Sequence, residues 1–378
     1  MKGQVTILFY PRYEISYGSY PAVLSNEFRV RPQVEEIPFA MSFKRVGYHI
    51  YNVLTSLGYQ TTYHSIYDTY ETQISNFIVA KNLVTSYVSN GTVYWDNALR
   101  NLLSLRSNKI FYGVIEGPII NPPSNCTIIV PSKYVAYECE MVDLKYDGII
   151  PHGFDPLQFR MADSPTDIQG ESFLNGQPTK TIFYCLGTYS KRRGFERLFE
   201  AIRKVKDELK ETNFMVYLRT SYQPHYTKLL QGIEDVVTIN EASNLPDCTI
   251  ASEMSQCDCY LVSSLAEGFC LPALEAAFGC GKAVIYPDTS PYTDYLNEQT
   301  GYPVSITNEE ITEVSNPMHP MIKYFRFRYW DIDEFAESMI KVIQNPKEAR
   351  LKGANAYRRR DAWTIYNTYK HFGDYIKT

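Results

Sequence analysis

Residues 261–285 read LVSSLAEGFCLPALEAAFGCGKAVI: an apolar run, a polar loop, a helical run and a second apolar run. Tyr260-Leu261-Val262 reads as the end of a buried strand. Ser263 to Leu271 is a loop carrying Glu267 and Gly268. Pro272 stands at the expected start of a helix, where its missing N–H costs nothing. The helix runs through Ala273-Leu274-Glu275-Ala276-Ala277-Phe278 and is closed by Gly279 and Gly281, and Ala283 to Tyr286 is the next strand. The unit is strand, loop, helix, strand.

Such a unit suits an anion. The free N–H groups of a helix start, around Ala273 to Glu275, face the loop with partial positive charge. Gly268 lets the backbone approach a ligand closely. Glu267 and Glu275 flank the same helix start, and a carboxylate is a double acceptor fit for paired sugar hydroxyls. Phosphate on the backbone and hydroxyls on two carboxylates would hold a nucleotide sugar. The competing reading is a plain βαβ crossover with a stabilising acidic helix N-terminus.

The run EGFCLPALEAAFGCGKAVI closely resembles the signature of retaining GT-B glycosyltransferases, specifically glycosyltransferase family four (glycosyl transferases group 1). That signature is Glu-Gly-Phe-Gly-Leu-Pro, Glu-Ala and Gly-x-Pro-Val-Ile, with seven residues between its glutamates, the spacing of Glu267 and Glu275. Cys270 replaces a usual Gly, and Lys282-Ala283 replaces the usual small residue and Pro. The resemblance implies that Glu267 contacts the donor sugar, Glu275 the ribose, and the backbone of Gly268, Phe269, Cys270 and Leu271 the pyrophosphate. It implies an α/β GT-B fold: two Rossmann-like, doubly wound parallel-sheet domains facing a cleft, with a C-terminal helix crossing back to the first.

The 378 residues, 44% of them hydrophobic, suffice for two full cores. A net charge of −5 argues against a broad nucleic-acid surface, so basic residues act locally. The eight cysteines show no paired metal spacing and read as reduced thiols of a cytosolic protein. Val5 to Tyr10 is too short for a secretory h-region and Pro11 ends it. No apolar run approaches the ~20 residues of a membrane span. The sequons at Asn90 and Asn125 are therefore expected to be unused. The 32 tyrosines fit a sugar-stacking surface or an unusual host.

Along the chain, Val5 to Tyr10 is a strand, and Pro11 to Pro38 is a long aromatic, Pro-punctuated loop or lid. With Lys44 and Arg45 after it, that loop suits peripheral membrane contact or a soluble acceptor. Phe43, Val46, Ile50, Val53, Leu54 and Leu57 form one face of a helix over Ser42 to Gly58. Lys109 to Ile115 is a strand ended by Glu116-Gly117-Pro118. Groups at carboxyl strand ends are placed to act, and Glu116 takes the place of a His that often follows this strand in the family. A solvated loop carboxylate is the alternative. GIIPHGFDPLQF, residues 148–159, resembles the family's hinge through Pro151, Gly153, Asp155 and Phe159, with His152 as a structural residue.

Arg160 to Thr179 reads as linker. Domains are thus expected at 1–160, with 350–378 as the crossing helix, and at 178–349 on the donor side. After the strand Thr181 to Leu186, GTYSKRRG precedes a helix from Phe195 to Lys210. The three cations suit a pyrophosphate, although such runs are also often solvated faces. The loop resembles the family's Gly-Arg-x-x-x-x-Lys-Gly, with Gly187 kept, Arg193 in place of the Lys and Thr188 in place of the Arg. Lys191 or Arg192 would compensate. Thr289 to Tyr295 matches a family loop that closes over the donor. Asp331-Ile332-Asp333 begins a helix and is read as a cap, not a metal motif. The tail 349–378 reads as one or two long helices. Its Arg358-Arg359-Arg360-Asp361-Ala362-Trp363 resembles the family's final basic and Trp segment.

The resulting expectation is a metal-independent, retaining glycosyltransferase with no cofactor beyond its donor. It would move a sugar from a nucleotide diphosphate sugar, with UDP or GDP as the base, to the hydroxyl of a glycan, lipid or protein. Catalysis would rest on Glu267, Arg193 and Glu116. A nucleotide-sugar epimerase, a sugar phosphorylase and a silent nucleotide-sugar-binding protein stay open.

Overall fold

The computed structural model describes residues 2–9, 41–65, 76–81, 86–89, 92–95, 108–113, 116–118, 126–160, 180–187, 190–210, 213–220, 226–241, 247–313 and 324–376. The aromatic loop 11–40, most of the linker, and Thr188 lie outside them.

The first sheet joins β1 (Lys2–Phe9), β2 (Tyr59–Ser65), β3 (Asn76–Lys81), β6 (Asn108–Gly113), β7 (Cys126–Val130) and β8 (Gly148–Ile149). A separate antiparallel pair, β4 (Ser86–Ser89) and β5 (Thr92–Trp95), lies between β3 and β6 in the chain. The sheet order is β2-β1-β3-β6-β7-β8 and every pairing is parallel. The helical spacing after residue 42 is realised in α1 (Met41–Ser56), whose Val46, Ile50, Val53 and Leu54 are buried against Ile110, Tyr112 and Ile129. α2 (Lys133–Glu140) follows β7 and is capped by Ser132, whose Oγ accepts from Val135 N–H.

The second sheet joins β9 (Thr181–Leu186), β10 (Phe214–Thr220), β11 (Val237–Glu241), β12 (Cys259–Leu261), β13 (Ala283–Pro287) and β14 (Gly301–Val304). Its order is β11-β10-β9-β12-β13-β14, again all parallel. Helices α3 (Phe195–Leu209), α4 (Tyr226–Leu229), α5 (Asp247–Gln256) and α6 (Leu271–Leu274) lie between its strands in the chain. Parallel strands covered on both faces need apolar side chains on both. β9 supplies them by alternation: Phe183 and Cys185 enter one buried cluster, Ile182 and Tyr184 the other. α3 contributes Phe195, Leu198, Phe199, Ile202 and Val205 to the first cluster, at helical spacing.

After β14 the chain forms an antiparallel arm, β15 (Ile306–Glu313) and β16 (Tyr324–Trp330), which the sequence reading did not anticipate. Helices α7 (Ile332–Gln344) and α8 (Pro346–Arg358) then return to the second sheet. Asp331 caps α7, accepting from Glu334 N–H at 2.9 Å, and Asp333 pairs with Lys204 at 2.6 Å.

The tail crosses to the first domain, but not as a long helix. α8 stops at Arg358, a turn spans Arg360–Trp363, α9 is only Ile365–Tyr369, and a last turn covers Lys370–Tyr375. The break lets the tail run beside the hinge. Phe154 N–H donates to the Trp363 carbonyl and Ile365 N–H to the Phe154 carbonyl, both at 3.0 Å. Gly153 is required here, because a Cβ would stand 2.6 Å from Ile365 N. Tyr369, Phe372 and Ile376 then complete the first domain's core.

The arm makes a further crossing. Arg326 Nε on β16 donates to Glu138 Oε1 on α2 at 2.6 Å, and Glu138 is 0% exposed. Arg328 lies over the Tyr134 ring of α2 at 4.6 Å and donates to the Ser290 carbonyl at 2.9 Å. Losing one partner of a buried ion pair strands the other. Arg326→Met is therefore expected to lower unfolding free energy by roughly 3 kcal/mol in urea titrations. A loss under about 0.5 kcal/mol, the level of an exposed pair, would contradict this role.

Candidate functional site

In the second sheet β9 and β12 are neighbours, while the chain leaves β9 toward β10 and β12 toward β13. The order reverses between them, and ligands of open α/β sheets bind beyond the carboxyl ends of strands at such a point. Gly187 to Gly194 and Val262 to Leu271 both leave from these ends. They are stitched together: Leu265 N–H donates to the Arg192 carbonyl and Ser263 Oγ to the Arg193 carbonyl, each at 2.7 Å. Gly194 sits at φ +61°, and a Cβ there would drive into the Ser263 carbonyl. At Gly187 a Cβ would meet the Arg193 side chain at 3.0 Å.

The stitching sets four charged groups in contact. Arg193 Nη1 donates to Glu267 Oε1, and Ser264 Oγ donates to the same oxygen at 3.0 Å. Arg192 Nη1 stands 3.0 Å from Glu267 Oε2 and 3.2 Å from Glu116 Oε1 of the first domain. Arg192 thus bridges the two domains. Burial alone would raise the Glu267 pKa, but Arg193 and then Arg192 outweigh it and hold the carboxyl below its ordinary value. Burial works against the Arg193 charge too, and Glu267 outweighs that, so the guanidinium stays protonated.

Glu116, Gly187, Arg193 and Glu267 are therefore brought together, with Arg192 at their centre. Lys191 goes elsewhere: 56% exposed, its ammonium pairs with Glu310 of the arm at 3.0 Å. Gly268 faces the first domain, its carbonyl accepting from Ser132 Oγ at 2.6 Å. The Phe269 ring is in the core, stacked on Tyr295 at 5.3 Å and edge-on to His152 at 5.0 Å. His152 is itself buried, its Nδ1 3.1 Å from Tyr112 Oη and 3.0 Å from Tyr369 Oη, a structural placement. Cys270 adopts φ +68°, the conformation the family's glycine would supply, and burial with the Glu267 charge pushes its thiol up. Leu271 packs between the cores of both domains.

The helix after the loop departs from expectation. Only Leu271–Leu274 is α-helical, and Glu275–Gly279 forms a π-turn in which Cys280 N–H donates to the Glu275 carbonyl at 2.9 Å. π-turns concentrate at functional sites, and this one carries Glu275, which is 2% exposed. Gly279 closes it because a Cβ would lie 2.5 Å from Phe159 Cβ of the hinge segment.

Glu267 shares a small pocket with Ser290 and Tyr292, from the segment 289–295 expected to close over the donor, and with Ser264, Tyr134, Arg326 and Arg328, which the sequence reading did not single out. Tyr134 Oη donates to the Glu116 carbonyl at 3.1 Å and so joins α2 to the site. A signal for the arginines was present: YFRFRYW, residues 324–330, is an aromatic-rich strand pattern with arginines two apart, on one face.

With its folded pKa lowered, paired Glu267 stabilises the fold above its unfolded pKa of about 4.3, and the contribution is lost as pH falls toward the folded value. Glu267→Gln lacks it and leaves Arg193 without a carboxylate, while Arg192 keeps only Glu116. The stability gap to wild type is expected to be at least about 2 kcal/mol near neutrality and to narrow as pH falls below about 4.3 in equilibrium denaturation. A gap that is flat with pH would contradict the pairing.

Residues 171–316 match the family model described as glycosyl transferases group 1. No curated protein matches the chain in sequence. Among solved structures, Anabaena HepE in complex with UDP-glucose aligns over 98% of both chains at 12% identity with a TM-score of 0.64. Sucrose-phosphate synthase from Thermosynechococcus elongatus aligns over 98% of both at 13% identity and TM-score 0.62. The UDP-forming trehalose-phosphate synthase from Burkholderia xenovorans aligns over 89% of this chain and 78% of its own at 11% identity and TM-score 0.55. At such identities the likeness is one of fold, and that fold is GT-B.

Proposed function

With residues 171–316 a glycosyl transferases group 1 segment on a GT-B fold, we propose that the chain is a retaining glycosyltransferase. It moves a hexosyl group from a nucleotide diphosphate sugar to an acceptor hydroxyl of a glycan, lipid or protein. Residues 178–349 form the donor side, and residues 1–160 with 350–378 the acceptor side. The observation that carries the reading is the cluster Arg192, Arg193, Glu267 and Glu116 at the switch between β9 and β12. Two guanidiniums fit a diphosphate in geometry and charge, and a nucleoside diphosphate is the leaving group of such a transfer.

On this reading the incoming diphosphate takes over Arg193 and Arg192, and Glu267 is released to accept sugar hydroxyls. Glu116 keeps Arg192 oriented from the opposite domain. As the bond from the anomeric carbon to the diphosphate oxygen breaks, negative charge develops there, and the guanidiniums stabilise it in a site screened from water. The acceptor oxygen bonds the anomeric carbon from the same face, and its proton passes to the departing phosphate oxygen. No metal is required, because the arginines supply the charge. Glu275 holds the ribose, and the backbone of Gly268 to Leu271 faces the pyrophosphate. Free thiols at all eight cysteines suit a cytoplasmic setting, with peripheral membrane contact through the aromatic loop 11–43. UDP is the favoured nucleotide, since HepE was solved with UDP-glucose.

The test is a thermal-shift panel of UDP, GDP, ADP and their sugars, in EDTA and in Mg²⁺, with turnover measured on the best donor. One base is expected to stand out equally in both buffers, adding roughly 2.7 kcal/mol at a hundredfold excess over Kd. Glu267→Ala should cut turnover at least a hundredfold. Turnover unchanged in that variant, or stabilisation only with Mg²⁺, would count against the reading.

A further inference from the structure

Arg192 is held at both its backbone and its side chain by one circuit of contacts that crosses between the domains twice. Its guanidinium stands 3.2 Å from Glu116 Oε1 of the first domain. The Glu116 carbonyl accepts from Tyr134 Oη at 3.1 Å. The Arg328 guanidinium of β16 lies over the Tyr134 ring, 4.6 Å from the ring centre. Arg328 N–H donates to the Leu265 carbonyl at 2.8 Å, and Leu265 N–H donates to the Arg192 carbonyl at 2.7 Å, which closes the circuit.

Glu116 depends on such contacts for its direction. It stands on a bend, outside strand and helix, so no regular backbone ladder aims its carboxylate. Tyr134 is 2% exposed on α2. Burial, then the Glu138 charge, push its phenol well above its ordinary pKa, so the hydroxyl keeps the proton it donates. Arg328 holds the ring with a planar guanidinium, a stacking group that an ammonium does not replace. Its charge is matched by Glu309 at 2.9 Å, and its Nη1 is fixed on the Ser290 carbonyl at 2.9 Å.

The aim of Glu116 matters once a donor arrives. Arg192 Nη1 also lies 3.0 Å from Glu267 Oε2 and 3.2 Å from the Ala266 carbonyl, both of its own domain. A diphosphate that takes the place of Glu267 on the guanidiniums leaves Glu116 as the carboxylate still orienting Arg192. Orientation of a charged group toward developing charge is worth a large factor in rate.

We propose that Tyr134 and Arg328 are positioning residues, which aim Glu116 at Arg192 across the cleft and thereby set the guanidinium that receives the departing diphosphate. The inference rests on the donor reading given above.

Tyr134→Phe keeps the ring under Arg328 and deletes the hydroxyl that holds Glu116. Arg328→Lys keeps a cation beside Glu309 and deletes the planar stack. Both variants are expected to melt within about 4 °C of wild type. Both should bind the best nucleoside diphosphate within about twofold of the wild-type Kd in calorimetric titrations, because Arg193 and the Ala266 contact of Arg192 remain. In each, kcat on the best donor, read as transfer or as donor hydrolysis, should fall at least about fivefold. The deciding readout is a cycle with Glu116→Gln. Acting through Glu116, Tyr134→Phe should slow the Glu116→Gln variant by less than about twofold, whereas an unrelated structural role gives losses that multiply. Multiplying losses, a kcat unchanged in either single variant, a kcat untouched by Glu116→Gln, or a nucleotide Kd that weakens in step with a falling melting temperature would overturn the assignment. If no nucleotide binds wild type, or one binds and no donor turns over, the donor reading falls first and this inference falls with it.

Discussion

Two guanidiniums and two carboxylates packed between domains must neutralise each other, because an unmatched buried charge costs several kcal/mol. Arg192 and Arg193 leave the carboxyl end of β9, Glu267 follows β12, and Glu116 comes from the other domain. Much of the surrounding structure keeps them in contact. Gly194 permits the turn, Ser263 and Leu265 fasten one loop to the other, and Trp330 Nε1 donates to the Ser263 carbonyl at 3.0 Å. A diphosphate is the kind of anion that can substitute for the carboxylates on the two guanidiniums, which is the basis of the proposed donor site.

Between the domains, three further fastenings surround this cluster. The tail hydrogen-bonds along the hinge at Phe154 and fills the first domain's core with Tyr369 and Phe372. Asp294 accepts from Lys133 N–H at 2.8 Å, and Ser132 donates to the Gly268 carbonyl, so the start of α2 rests on the second domain. The arm adds Arg326 on Glu138 and Arg328 on Tyr134. The second and third join α2 to segments that carry or border Glu267. Water exclusion and alignment of an acceptor with a donor both need such fixing.

Legibility in the sequence followed locality. Strands β9 and β12 with their loops were readable because apolar runs, glycines and the two spaced glutamates lie within short windows. Cys270 shows both sides of this. As a departure from glycine it was visible, yet that it would adopt a positive φ follows from its place between Phe269 and the helix start. The π-turn at Glu275 was illegible, since its wide bond depends on Gly279 meeting Phe159, more than a hundred residues earlier in the chain. The arm escaped notice because its arginines acquire meaning only against Glu138 and Tyr134 of the other domain. The tail's helical spacing was real, but the hinge pairing at Phe154 broke the helix at Arg358.

The central claim is that Arg193 and its neighbours receive the donor's diphosphate. Calorimetric titration of the best-binding nucleoside diphosphate into wild type and Arg193→Met tests it most directly. The account predicts at least a tenfold weaker Kd in the variant, about 1.4 kcal/mol, with the wild-type affinity falling as salt rises. Equal affinity in the two proteins, insensitive to salt, would contradict it and move the ligand away from this cluster.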